Sequence, residues 1–413
     1  MTAGRRASQR TLSRRAFVRA AAGAAALAAS GAASGTLAGC SSNSSEDISV
    51  LEVASSDVVT LDDFTEYESS SYYTIDDVGS FNDGLLLSAS DSDIAATLCT
   101  GESADPINSV GLINLSSGAF SRVLTQAIAD ADGFSFLNVT ASSELLVWVE
   151  SNFLTSEWRV YCATISTTSL SIGQATQLDS GDADYDAPEI AAIGSTAYWI
   201  VQPAADGSKT EEDSYLKLSA AGSEASVLHT SHGRFNGSLA TSGTVLTAMP
   251  RAEADSGVYY QLTAWQSGTG EVLATQVMPK SFKPLCAVYM GGSFSFCIEA
   301  AYDYGDGIAD VGTYYQLDDG TWLRLTRQPV APAGLCNGWL VSKSGSRTAL
   351  VDLVNRGYLT IDAPEDCADY GDYPVCAGES EAVCVYAHVT QEDDEGTETS
   401  STYVRRIVPK AQS

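Results

Sequence analysis

Six triplets recur along the chain at nearly constant spacing, and each precedes an apolar strand. They are Gly133-Phe134-Ser135, Asp186-Ala187-Pro188, Phe235-Asn236-Gly237, Phe282-Lys283-Pro284, Val330-Ala331-Pro332 and Asp372-Tyr373-Pro374. Their third residues lie 53, 49, 47, 48 and 42 positions apart. A repeat of that length in a Val/Tyr/Thr-rich sequence without helical periodicity specifies a ring of small sheets, not a helical solenoid. Residues 282–329 show what one unit contains. An apolar strand to Met290 meets the Gly291-Gly292 turn, where both residues can take positive φ. A second strand follows, then an acidic loop, a third strand, an Asp318-Asp319-Gly320 turn and a fourth strand. Four short antiparallel strands make one propeller blade.

Laid along the sequence, this unit gives an all-β, seven-bladed β-propeller over residues 57–413. Blade one runs over 81–128 and blade two over 134–179, and a seventh blade begins at Tyr373. That last blade is one strand short. Residues 57–64, with Val58-Val59-Thr60-Leu61, form a spare strand, expected as the outer strand of blade seven, where it closes the ring. Blades one and six are irregular, so six or eight blades are alternatives, and a pair of β-sandwiches is the competing fold.

The chain carries 52 acidic and 22 basic residues, a net charge of −30. Such a surface repels phosphate backbones, which argues against nucleic acid as a partner. The basic residues concentrate at the start: residues 1–39 hold six arginines and no acid, so removing them takes the charge to −36. Ser13-Arg14-Arg15-Ala16-Phe17-Val18 resembles the twin-arginine export signal, with Arg14 and Arg15 as its pair. An Ala/Gly-rich run follows and ends in Leu37-Ala38-Gly39-Cys40, which resembles the lipobox of bacterial lipoproteins. Together they imply export of the folded protein, cleavage before Cys40 and acylation of that cysteine. The implied location is the outer face of the cytoplasmic membrane, in the cell envelope, held by the N-terminal lipid. Residues 1–39 are thus a signal peptide and 40–56 a polar tether, beginning Ser41-Ser42-Asn43-Ser44-Ser45.

Export also makes disulfides admissible. Cys286 and Cys297 are equidistant from the Gly291-Gly292 turn and face each other across the hairpin. Taken as a non-hydrogen-bonded pair, they meet the Cβ spacing a bridge requires. Cys376 and Cys384 stand similarly across Gly378-Glu379-Ser380. Cys336 with Cys367 and Cys99 with Cys162 are the remaining pairs, each with buried free thiols as its alternative. No Cys/His cluster has metal spacing.

Catalytic parts are few. The three histidines, His229, His232 and His388, have no ligand set nearby in sequence. No nucleophile elbow, phosphate loop or dinucleotide fingerprint occurs. Asp318-Asp319-Gly320-Thr321-Trp322 reads as a turn before an aromatic strand. Two acidic loops, 179–186 and 303–310, have the ligand type that suits Ca²⁺ but lack an EF-hand's spacing, and read as solvated turns. Asp186, Asn236, Lys283 and Asp372 each occupy the junction between one blade's outer strand and the next blade's inner strand. That junction lies at the channel mouth of a propeller, so these four are the candidate ligand-binding residues. Asp186-Ala187-Pro188 is similar to the D-x-P opening of TolB-like blades, and the layout resembles the TolB-like and WD40-like propellers. That resemblance implies a module that binds a protein, glycan or peptide of the envelope. The alternative is a glycan hydrolase or lyase that uses carboxylates at the channel mouth.

Overall fold

The structure is a computed structural model that describes residues 48–411, apart from 69, 83, 89, 91–92, 101–106, 108, 130–132, 210, 255, 305, 327–330, 369, 376–377 and 393–397. Arg14, Arg15, Cys376 and residues 40–47 of the expected tether, Cys40 included, lie outside the described residues.

The strands assort into seven sheets, each with four consecutive antiparallel strands or their equivalent. Blades one to six span residues 84–124, 134–181, 190–231, 240–277, 286–325 and 334–361. Blade seven combines 373–409 with an N-terminal strand. The unit at 282–329 reads as expected: Cys286–Met290, Ser293–Ile298, Gly312–Gln316 and Trp322–Leu325 pair in order. The fold is an all-β propeller.

Burial on both faces of every blade explains why so many strands read as continuous apolar runs rather than alternating ones. Leu145–Asn152 of blade two is buried at every position. Leu146 and Trp148 pack towards Ile94, Ala96 and Leu112 of blade one. The intervening Leu145, Val147 and Val149 pack towards Ile190, Ala192 and Trp199 of blade three. The same arrangement runs round the ring. It finishes where Cys384, Tyr386 and Val404 of blade seven meet Leu85, Leu87 and Ile113 of blade one. Trp148, Trp158, Trp199 and Trp339 fill these interfaces.

Ring closure uses the N-terminus, as expected, but a different segment of it. Tyr73–Phe81 pairs antiparallel along Glu398–Pro409 and supplies the outer strand of blade seven. Residues 57–64 cannot fill that place because they do not stay extended. The Thr60 side chain accepts the Asp62 N–H at 3.3 Å, and the Thr60 N–H reaches Asp63 Oδ2 at 2.8 Å. This reciprocal capping box folds Leu61–Asp63 into a 3₁₀ turn and leaves a three-residue strand, Val58–Thr60.

The segment instead forms a belt over the rim. Val50 bridges Val277 on the outer strand of blade four, where the Leu51 N–H meets the Val277 carbonyl at 2.7 Å. Val58–Thr60 then adds in parallel to the outer strand of blade five, and Thr65–Glu66 to that of blade six. Val53, Leu61 and Phe64 are buried beneath it. The tether expected through residue 56 is therefore shorter, because the chain is attached to the ring from Val50 onward.

Cys162, Cys286, Cys297, Cys336, Cys367 and Cys384 are free thiols, so each of the four proposed pairings is corrected through at least one of its members. Cys286 and Cys297 do oppose each other in register. Ladder pairs alternate, however, and counting back from Met290/Ser293 beside the two-residue turn puts this pair at a hydrogen-bonded position rather than at the non-hydrogen-bonded one expected. The extra bond from the Leu285 N–H to the Cys297 carbonyl, 2.8 Å, fits that assignment. The two thiols stay in contact, the Cys297 side chain and burial together pushing the Cys286 thiol well up, and Cys297 Sγ lies 3.3 Å from Thr313 Oγ1. Burial pushes the Cys336 and Cys384 thiols up to about 12, so neither is a ready nucleophile.

Candidate functional site

The four junction residues are brought to one end of the ring, yet three of them act as staples between blades. Asp186 pairs with Arg234, one blade on, at 2.5 Å, and Arg234 also donates to the Pro203 carbonyl. Asn236 donates its side-chain amide to the Pro284 carbonyl at the following junction. Asp372 is fully buried between blades six and seven. It is bonded to Arg405, and its own carbonyl, with that of Tyr370, accepts from Lys343 Nζ. Only Lys283 is exposed, and its N–H is held by the Tyr302 hydroxyl at 3.0 Å. Asp186, Asn236 and Asp372 are thus each engaged by another part of the chain, and Lys283 keeps its side chain exposed.

The Asp372 cluster is electrostatically tense. Burial pushes the Asp372 carboxyl up to about 6 despite the Arg405 guanidinium beside it. Burial likewise draws Lys343 down to about 8, against the opposing pull of Asp372. Lys343 Nζ also lies 4.3 Å from the centre of the Tyr373 ring. Oδ1 of Asp372 and Nε of Arg405 have no hydrogen-bond partner among the described residues.

The acidic loops are similarly committed. Asp179 accepts from Trp199 Nε1 and Lys217 Nζ, both at 2.8 Å, and Asp184 pairs with Lys209 at 3.2 Å. Asp306 Oδ1 takes the Ser55 hydroxyl of the belt at 2.6 Å, and Asp310 pairs with Arg324. Each of these four carboxylates has a donor of its own. Asp319 caps Thr321, at 2.6 Å from its hydroxyl, as expected of a turn.

A different feature, at the opposite end of the ring, has the shape of a site. The inner strand of blade seven is only Tyr373–Val375. The chain then leaves its sheet, and Glu379–Ser380 pairs in parallel with Leu335–Cys336 on the inner edge of blade six. This diverted segment reaches further still. The Glu379 N–H donates to Ser242 Oγ of blade four at 3.1 Å, and Glu379 Oε1 accepts from the Gly291 N–H of blade five at 2.7 Å. It therefore ties together the inner edges of blades six, five and four at that end of the ring. Gly291 suits the contact twice over: its φ is +55°, and an added Cβ would sit 2.7 Å from Leu335.

Where blade seven gives up its inner strand, a notch of about 660 Å³ opens between blades six, seven and one. Leu115, Leu335 and Cys384 form its apolar lining, and Asp93, Glu379, Glu381 and Arg406 its charged one. Arg406 is already engaged, 3.4 Å from Asp93 and 3.2 Å from Ser116 Oγ. Nothing in the blade period marked these residues. The available signals were the surplus residues between Val375 and Val383 and the doubled Arg405-Arg406 between Tyr403-Val404 and Ile407-Val408.

No family model and no curated protein matches the chain. Solved structures that resemble it include a prolyl endopeptidase (10% identity over 81% of this chain and 50% of that one, TM-score 0.49). Another is the β-propeller domain of the trilobed protease of Pyrococcus furiosus (12%, 77% and 93%, TM-score 0.45). A third is the acylaminoacyl peptidase of Pyrococcus horikoshii (14%, 83% and 52%, TM-score 0.45). The chain spans about half the length of the first and third. At these identities the likeness concerns the fold alone.

Proposed function

We propose that the protein is an envelope-exposed binding propeller whose ligand sits in the notch of blade seven. The observation that carries this reading is the notch itself. A volume of about 660 Å³ is within the range of small-ligand sites, roughly 300–1,000 Å³, and its lining mixes apolar and convergent polar groups. Three carboxylates against one engaged arginine favour a ligand with a positively charged head, such as an amine or guanidinium, on an apolar stem. A basic side chain of an envelope protein has that chemistry.

The address rests on the Arg14-Arg15 and Cys40 motifs. Ring attachment at Val50 leaves about ten residues after Cys40, a reach of at most roughly 35 Å, which would hold the propeller near the bilayer. Replacing Cys40 by Ser is expected to release the full chain from membranes into the soluble fraction. Retention would mean that another element anchors it.

The test of the site is a thermal-shift and calorimetric panel of amines, guanidinium compounds, basic peptides and neutral glycans. Cationic ligands should bind saturably to the wild type and at least tenfold more weakly to Glu381→Gln with the fold intact. The second reading, a glycan-acting hydrolase or lyase, is favoured by the same group of carboxylates. It requires turnover of a glycan that Glu381→Gln or Asp93→Asn abolishes, and binding without turnover rejects it.

A further inference from the structure

Outer-strand irregularity and belt coverage divide the blades in the same way. In blades one to four the pairing of the third strand with the outer strand carries a register shift, at Val110/Gly111, Val160/Tyr161, Leu216/Lys217 and Ala264/Trp265. The outer strand of blade seven has one too, at Asp77/Gly79. Among the described residues these five edges take no further strand, except for the single Val50 bridge at the end of blade four. In blades five and six the corresponding ladders are regular, and these are the two edges that the belt covers. A bulge twists an edge away from strand addition, whereas a regular open edge is a template for it. Five edges are thus blunted, and two are kept flat and occupied.

The occupant is held as a bound peptide is held. Main-chain pairing sets its register, with Val58, Val59 and Thr60 opposite Trp322, Leu323 and Arg324, and Thr65 and Glu66 opposite Gly357 and Tyr358. Side chains supply the anchors: Leu61 and Phe64 are 5% and 8% exposed and pack among Leu323, Leu325, Leu350 and Leu359. The spacing of two, three and four residues between these contacts follows from the capped turn at Leu61–Asp63.

We infer that the outer edges of blades five and six are a peptide-binding surface, filled in cis by residues 50–66, and that it takes the same segment of a second copy of the chain in trans. Recognition is strand addition with an aliphatic and an aromatic anchor three residues apart, a mode that reads backbone for affinity and pockets for selectivity. Exchange needs the release of two strands, of three and two residues, together with the Val50–Val277 and Gly307–Val53 links and the Leu61 and Phe64 anchors, and leaves the ring closed by Tyr73–Phe81.

The experiment uses the full chain with a specific protease site placed in the 68–71 link, cut after folding so that the belt is held without a covalent bond. A labelled peptide of residues 48–67 is then titrated in. It should bind the cut protein saturably, and the uncut protein at least tenfold more weakly, because the tethered belt competes. Leu61→Asp in the peptide should weaken binding at least tenfold. Val59→Cys in the peptide should crosslink to Leu323→Cys on blade five and not to Val227→Cys on the bulged edge of blade three. The inference is overturned if the peptide fails to bind a cut protein that keeps its circular dichroism. Equal binding of the Leu61→Asp peptide, or crosslinking to blade three, overturns it as well. A second check needs no cut. Full chains carrying Val59→Cys alone and Leu323→Cys alone, mixed at high concentration, should yield a crosslinked heterodimer, and its absence counts against exchange in trans.

Discussion

Two buried acidic side chains, Glu150 and Asp372, hold the chain where blades meet. Glu150 is fully buried, and its two carboxylate oxygens accept the Ile128 and Ala129 N–H groups, each at 2.8 Å, and Trp148 Nε1 at 3.0 Å. Glu150→Ala orphans three donors, two in the loop between blades one and two and the Trp148 indole N–H. It should cost about 2–4 kcal/mol in chemical denaturation. Asp372 sets a pH dependence. Its folded pKa lies above the unfolded value, so the stability it contributes is present below about pH 4 and is lost as pH rises through about 6. Lys343 is displaced downward, and its contribution is present above its ordinary value near 10.5 and is lost as pH falls through about 8. The pair is therefore least favourable between pH 6 and 8. Asp372→Asn should flatten the melting temperature between pH 4 and 6.5, while losing about 3 kcal/mol overall because Arg405 is left without its partner. Little of this was legible in the sequence. Asp372 read as a mouth residue because it follows a blade junction, and nothing local shows that Arg405, 33 residues on, removes it from solvent. A lysine inside Trp339–Ser344 was the better clue, since a buried ammonium must find acceptors.

At the scale of elements, the sequence was most informative where turn chemistry and period agree. Gly291-Gly292 placed its hairpin and the Cys286/Cys297 register correctly, because a two-residue turn leaves no freedom in the pairing that follows. It failed where a short motif competes with a strand. Residues 57–64 look extended by composition, yet Thr60 and Asp63 cap a turn that breaks them, and the closing strand is the less apolar Tyr73–Phe81. That strand tolerates its acids because its positions are mostly exposed, and Asp77 takes the Tyr403 hydroxyl. The belt's anchorage should be measurable on its own. Leu61→Ala removes a buried side chain beneath blades five and six and should destabilise by about 2–5 kcal/mol. Hydrogen exchange should rise first at Val58–Thr60 and the facing Trp322–Leu325 and leave blade two unchanged.

Across the whole molecule, the blade period defined the ring but was silent about the one place where the ring departs from its period. The diverted inner strand of blade seven produces the notch, and a repeat read as a repeat averages such a departure away. Shortening the diversion by deleting Gly378 to Ser380 should abolish the notch ligand's thermal shift without loss of β-signal in circular dichroism.

The belt has a mechanical consequence as well. A pull applied upstream of Val50 meets the ring at the rim, not at its core. The load falls first on the Val50–Val277 attachment, then on the Gly307 N–H to Val53 carbonyl bond, then on the two short strands over blades five and six. Each is a small link that can fail and re-form while every blade keeps its four strands. Only after all of them have yielded does tension reach Tyr73–Phe81, the one strand whose loss would open the circle. The rim thus works as a series of fuses, and a tug on the N-terminus is spent along the perimeter before the propeller feels it.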